Sequence, residues 1–497
     1  MPASRETVAS KYGCATIEPS RPPPGGLTQS TKVDTQNAAI PYPWLDHRYV
    51  WVSYTDGVTS NQQIGKMDIH SDHRFAINLN VRGIQPSSTL RINELSNQLK
   101  SEGKDIIKLG LGQSPFPVPD RVVEALQTHA HEKDYLPVKG LKGLRESIAG
   151  YINRSQRTRC SWEDVLIGPG SKELLFILQL AYYGDLLIPR PSWVSYAPQA
   201  RIIGRSVHWL PTHAENNWQL TAEELDIICR DDPTRPRILI LNYPSNPTGC
   251  TYTDDQLLAI ANVARKYKLI LLSDEIYGEV HFEGKHKSIA RYYPEGTIIS
   301  TGLSKWAGAG GWRLGSFIFP PELRPLLDAM AIIASETFTS TSAPIQYAAI
   351  TAFNGGEDID EYLVHSRRVL KVIGEYIHRR MTDMGAIVQK PQGAFYLFPD
   401  FSAFRERLDR KDIKTSQAFC QALLENTGVA ILPASDFGFV PDHLAARLAF
   451  VDFDGAEALK LSAGDFAQIE LGDDFVAQAC PRLVKAMDKM QSWLNSL

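Results

Sequence analysis

The run Ile238-Leu239-Ile240-Leu241-Asn242-Tyr243-Pro244-Ser245-Asn246-Pro247-Thr248-Gly249 passes from four consecutive apolar residues into a loop stiffened by two prolines and closed by a glycine. An apolar run this short, with no polar alternation, is a strand buried on both faces. Asp255 to Lys266 then carries apolar residues at helical spacing. A second apolar run, Leu269-Ile270-Leu271-Leu272, leads into Asp274-Glu275-Ile276-Tyr277. Strand, loop, helix and strand in this order predict an α/β fold, a mostly parallel sheet covered by helices on both faces. Ligands of such sheets bind beyond the carboxyl ends of the strands, so the loops at 242–249 and 274–277 are candidate site loops.

Outward from this centre, Ile92 to Lys100 and Arg121 to His129 also read as helices. Residues 1–85 differ: they are rich in Pro, Ser, Thr and Gly and lack helical periodicity, which makes them an N-terminal arm. Trp44, Tyr49, Trp51 and Tyr54 are too apolar for a pure linker, so part of the arm is expected to pack on the body or on a second subunit.

The 497 residues allow two to four structural units, and 43% hydrophobic with 22% charged residues is an ordinary globular composition. A net charge of −4 with no basic run gives no field for nucleic acid or anionic lipid. The longest apolar run, Leu174 to Tyr183, is too short for a membrane span. Six scattered cysteines without a C-x-x-C pair read as reduced thiols, and the first twelve residues lack an apolar signal core, so a cytoplasmic location is expected. The pairs His129/His131 and His281/His286 do not have the spacing of metal ligands on one face, and no metal is assigned.

A third loop, Ser300-Thr301-Gly302-Leu303-Ser304-Lys305-Trp306-Ala307-Gly308-Ala309-Gly310-Gly311-Trp312-Arg313-Leu314-Gly315, combines a lysine, a glycine-rich turn and an arginine. It is not a dinucleotide fingerprint, because Arg313 stands where a third glycine is required. Asp274 follows Asn246 by 28 residues, Tyr277 follows Asp274 by three, Lys305 follows Tyr277 by 28 and Arg313 follows Lys305 by eight. With these residues at this spacing, the chain from about residue 86 onward resembles the class I/II aminotransferases. These are the aspartate-aminotransferase-like branch of the fold-type-I pyridoxal-phosphate enzymes.

The resemblance implies a large, mostly parallel-sheet domain over 118–365 and a smaller α+β domain built from 86–117 and 366–497. It implies pyridoxal 5'-phosphate as cofactor and a ping-pong transfer of an amino group from an amino acid to a 2-oxo acid. Lys305 is then the covalent anchor and general base. Asp274 holds the proton of the pyridine nitrogen, and Asn246 and Tyr277 donate to the ring oxygen. Gly170, Ser171 and Lys172 fall at the phosphate loop before a helix start, with Arg313 and Ser304 beside them. Trp193 matches the aromatic that stacks on the ring. Tyr135 matches the tyrosine reaching the phosphate of a neighbouring subunit, which implies a homodimer with shared sites. Gly112, in Leu109 to Phe116, and Arg447, in Ala446 to Phe450, match the substrate residues, Arg447 clamping the α-carboxylate.

One departure stands out. Gly302 occupies the place of a phosphate-binding serine, with Thr301, Lys172 or Tyr135 as candidate substitutes. Lyases, cyclopropane-forming synthases, decarboxylases and oxidases share most of these residues. A regulatory protein with an aminotransferase-like domain would need an N-terminal helix-turn-helix, whose paired helices the arm lacks.

Overall fold

The computed structural model describes residues 78–84 and 88–497. The arm expected over 1–85, with its four aromatic residues, therefore lies outside the described residues apart from 78–84.

Among the described residues twelve strands follow in chain order: β1 (Ile107–Lys108), β2 (Val165–Gly168), β3 (Asp185–Pro189), β4 (Val207–Leu210), β5 (Arg237–Asn242), β6 (Ile270–Asp274), β7 (Thr297–Gly302), β8 (Gly315–Ile318), β9 (Tyr396–Leu397), β10 (Val429–Ala430), β11 (Leu432–Pro433) and β12 (Ala446–Ala449). Seven of them make one sheet in the order β2-β8-β7-β6-β5-β3-β4, in which only β8 runs antiparallel to its neighbours. The fold is α/β with a mostly parallel sheet, as the sequence predicts.

Strand alternation explains why both faces are covered. Ile238, Ile240, Ile270 and Leu272 pack with Leu174 and Leu178 of the helix Ser171–Ala181 and with Leu327 of Arg324–Thr337. The intervening Leu239, Leu241 and Leu271 point the other way, against Leu257 and Ile260 of the helix Asp254–Lys266. Successive side chains on a strand face opposite sides, so an unbroken apolar run fills two layers at once. Each fully buried leucine or isoleucine contributes about 1.5 to 3 kcal/mol. Thr253 caps the helix Asp254–Lys266 in a reciprocal capping box with Gln256, which ends the site loop cleanly.

Register then places the polar residues. Asn242, Asp274 and Ser300 are cross-strand partners at the carboxyl ends of β5, β6 and β7. Gly168, Gly315 and Gly302 form a second row across β2, β8 and β7. Elsewhere β1 pairs parallel with β10, and β11, β12 and β9 form a three-stranded antiparallel sheet that carries Arg447 and Tyr396.

Candidate active site

Beyond the ends of β5, β6 and β7 lies a cavity of about 330 Å³, and most of the expected residues line it. Lys305, Asp274, Tyr277, Asn246, Ser171, Lys172, Trp193, Ser304, Arg313, Gly112 and Arg447 all reach it.

Its floor is Asp274. The carboxylate is buried, accepts from the Tyr196 hydroxyl at 2.6 Å through Oδ2 and from Ser300 Oγ at 3.1 Å through Oδ1, and is flanked by Asn242, whose Nδ2 donates to the Asp274 carbonyl at 2.9 Å. Burial raises its pKa above the ordinary aspartate value, while the Tyr196 and Ser300 donors pull it back down. Asn242 Oδ1 in turn accepts from the Asn246 amide at 2.8 Å and so sets the loop that presents Asn246.

Lys305 is half-buried, and its Nζ donates to the Gly112 carbonyl at 2.8 Å. Desolvation first, then the cations of Arg447 and Arg313, hold its pKa down at about 8, against the opposing pull of Asp274. An amine in that range is partly uncharged at neutral pH and can act as a nucleophile.

One end of the cavity is cationic and backbone-rich. Ser171 opens the helix Ser171–Ala181, Lys172 Nζ lies 5.5 Å from the Trp193 ring centroid, and Arg313 holds a left-handed backbone (φ 56°) after the Gly310-Gly311 turn. Its guanidinium donates to Gly310 O at 2.8 Å and Pro169 O at 3.3 Å. Gly170 does not line the cavity but makes room for this arginine: it has φ 91°, and a Cβ there would stand 2.2 Å from Arg313 Nη2. Helix N-terminal amides, a hydroxyl and two cations together suit a phosphate dianion.

At the other end Arg447 is 2% exposed, sandwiched between the Tyr396 and Phe437 rings at 4.8 and 5.3 Å. It donates to Asn246 Oδ1 at 3.1 Å and to Gly110 O, while its buried Nε finds no acceptor. A buried guanidinium with an unspent donor is a site for a carboxylate. The residues present therefore fit a phosphate-bearing aldehyde cofactor together with an α-carboxylate substrate.

Three expectations need correction or completion. Thr301 cannot replace the missing phosphate serine, because alternation along β7 turns it into a second cavity on the other side, with Glu275 and His286. At Gly302 a Cβ would stand 2.7 Å from Leu314 O and 3.0 Å from Gly315 Cα, so the close approach of β8 leaves no space for a serine. Tyr135 is 89% exposed and does not reach the cavity of its own chain.

Sequence reasoning also missed residues. Tyr396 hydrogen-bonds the Tyr277 hydroxyl at 2.7 Å and touches Gly112, where a Cβ would stand 2.0 Å from its oxygen. No local signal marks it. Asn242 stands four residues before Asn246 inside the run quoted at the outset, where a polar residue ending an apolar strand is the available clue, and Tyr196 stands three residues after Trp193.

Comparison with known proteins agrees with this geometry. The family described as aminotransferase class I and II matches residues 104–452. The chain belongs to that family. It is 34% identical over 381 residues to an aspartate aminotransferase of Geobacillus stearothermophilus, covering 74% of this chain and 93% of the relative. It is 32% identical to an asparagine–oxo-acid transaminase of Streptococcus mutans, covering 74% and 92%. Among solved structures, aspartate aminotransferase from Thermus thermophilus with maleate superposes with a TM-score of 0.70 at 28% identity, over 79% of this chain and 99% of that one. As a class I/II aminotransferase the chain is a pyridoxal-phosphate-dependent transaminase acting on amino and 2-oxo acids. Among the described residues no helix is long and apolar enough to cross a membrane.

Proposed function

We propose that the 330 Å³ cavity holds pyridoxal 5'-phosphate with its phosphate at the Ser171, Lys172, Ser304 and Arg313 end, and that Lys305 is the covalent anchor and proton carrier of a ping-pong amino transfer. The observation that carries this reading is Lys305, an amine held down at about 8 in a cavity that it shares with a phosphate-type cradle and the Arg447 fork. When bound, the cofactor supplies a carbonyl that takes up the amine and a ring that accepts electron density from the substrate's α-carbon.

The chain's own groups do the rest. Lys305 releases and retakes a proton at Nζ, and its tether to the Gly112 carbonyl orients that nitrogen. Tyr196 and Ser300 favour the ionised form of Asp274 against its burial, which lets Asp274 hold a proton at a ring nitrogen. Because Asn246 Oδ1 accepts from Arg447, its amide NH₂ is left to donate into the cavity beside Tyr277. Arg447 binds the α-carboxylate bidentately, positioned by the Tyr396 and Phe437 rings.

The active unit is read as a homodimer, which the exposure of Tyr135 outside its own chain's cavity supports. The parallel pairing of β1 with β10 supports a small domain from 86–117 and 366–497 beside a large one over 118–365. Among the described residues the thiols of Cys160, Cys229, Cys250, Cys420 and Cys480 are unbridged, which supports a cytoplasmic setting. The names of the relatives make aspartate and asparagine the first donors to test.

The test mixes purified holoenzyme with a panel of amino acids and follows cofactor absorbance. Conversion to the pyridoxamine form, reversed by a 2-oxo acid, is the expected result. Release of ammonia or carbon dioxide without that reversal would redirect the reading to a lyase or decarboxylase.

A further inference from the structure

Immediately after Asp274, and on the opposite side of the strand end, lies a buried acid–base pair that the amino transfer does not use. His286 Nε2 and Glu275 Oε2 are 2.9 Å apart, with side chains 7% and 4% exposed. The other carboxylate oxygen, Oε1, accepts from Ser273 Oγ at 2.7 Å. Ser273 Oγ lies 3.1 Å from the Tyr243 hydroxyl, which itself accepts from the Ile289 amide at 2.7 Å. Glu275 is thus anchored at both oxygens.

The anchoring reaches the cavity by two routes. Along the backbone, the Glu275 amide donates at 2.9 Å to the carbonyl of Ser300, the residue whose hydroxyl holds Asp274 Oδ1. On the following turn, the Gly278 amide donates to the Glu275 carbonyl at 2.8 Å, and the His286 ring presses on Gly278, where a Cβ would stand 2.8 Å from Cδ2. Gly278 directly follows Tyr277. Asp274 and Tyr277 are therefore bracketed by one buried, hydrogen-bonded pair.

We propose that Glu275 and His286 are positioning residues that lock the β6 turn, so that Asp274 and Tyr277 face the cofactor site, and that the carboxylate of Glu275 forms part of the field at that site. The proposal rests on the roles given above to Asp274 and Tyr277. A carboxylate on the residue next to Asp274 stabilises positive charge at the site and opposes a second negative one. The titratable and charged groups that face the pair are Tyr243, Asp274, Glu279 and His281, with Tyr151 from the helix Lys142–Gln156 and Arg367 from the helix Glu357–Asp383. Tyr151 and Arg367 are hydrogen-bonded to Glu279, which leaves Glu275 and His286 to each other. His286 Nδ1 is buried without a partner at the edge of the second cavity, of about 190 Å³, so the ring is held from the Glu275 side alone.

The test uses holoenzyme carrying Glu275→Gln, His286→Gln or both, and reads the pH midpoint of the bound cofactor's visible absorbance alongside the melting temperature. Glu275→Gln is expected to lower that midpoint by on the order of half a unit to one unit, since a negative charge near the protonated cofactor link is lost. His286→Gln is expected to move it as well, and the double variant to move it no further than the larger single change, because the pair acts as a unit. Midpoints equal to wild type in either single variant, with or without a lower melting temperature, would overturn the proposal and assign the pair to core stability alone. So would failure of both single variants to fold. A wild-type protein that binds no cofactor would instead defeat the reading of the main site and leave the two failures distinguishable.

Discussion

Lys305 and Asp274 show how burial and hydrogen bonds set reactivity side chain by side chain. Burial depresses the lysine to about 8 because the charged form loses its water, with the Arg447 and Arg313 cations adding to the effect. Only the uncharged amine attacks a carbonyl, and that form falls about tenfold for each pH unit below the pKa. Covalent capture of pyridoxal 5'-phosphate by the apo-protein is therefore expected to speed up with pH until about 8 and then level off, as followed by stopped-flow absorbance. Asp274 depends on Tyr196 in the same way. Tyr196→Phe removes the donor at 2.6 Å from a buried carboxylate, which raises the acid's pKa further and costs about 1 to 3 kcal/mol. The expected fall in kcat/KM is about 5- to 150-fold, with the α-carboxylate contacts of Arg447 untouched.

Among the elements, the glycine row of β2, β8 and β7 decides how near the helix Ser171–Ala181 comes to the sheet. A Cβ on Gly315 would meet the Ser171 amide nitrogen at 2.2 Å, and one on Gly302 would meet β8 backbone. Both collisions are with main chain, which cannot rotate away as a side-chain tip can. Sequence alone suggests that Gly302→Ser would restore a missing anchor and leave cofactor affinity unchanged or tighter. The close approach reverses this. Gly302→Ser is expected to destabilise the chain by about 1 to 3 kcal/mol and to loosen the cofactor, read from denaturant midpoints with and without pyridoxal 5'-phosphate. The strands and helices around this row follow local periodicity closely: Ile238 to Leu241 lies within β5, and Asp255 to Lys266 within the helix Asp254–Lys266.

For the whole molecule, the proposed homodimer makes its own prediction. Tyr135 stands exposed on a chain whose own cavity it does not reach, so any service to the phosphate is rendered in a partner's site. Tyr135→Phe is expected to weaken cofactor retention. In both variant and wild type, retention is expected to fall on dilution as dimers dissociate, because cofactor binding and assembly are then linked by mass action. Light scattering and cofactor release measured over the same concentration series check this. Retention independent of concentration in both proteins would count against a shared site.

The sequence by itself determined the fold class and the principal chemistry. Apolar runs and helical spacing are local properties, and an asparagine, an aspartate, a tyrosine, a lysine and an arginine at fixed intervals can be read without coordinates. What only the tertiary structure decided are contacts between residues remote in the chain. The Tyr396 hydroxyl meets Tyr277 from 119 residues away and Tyr196 meets Asp274 from 78, pairings that no local pattern records. The collision at Gly302 belongs to the same kind, since it depends on how closely β8 runs beside β7. A hydrogen bond or a clash is set by distances of about 3 Å in space, and the packing of the whole chain, not its order, brings such atoms together.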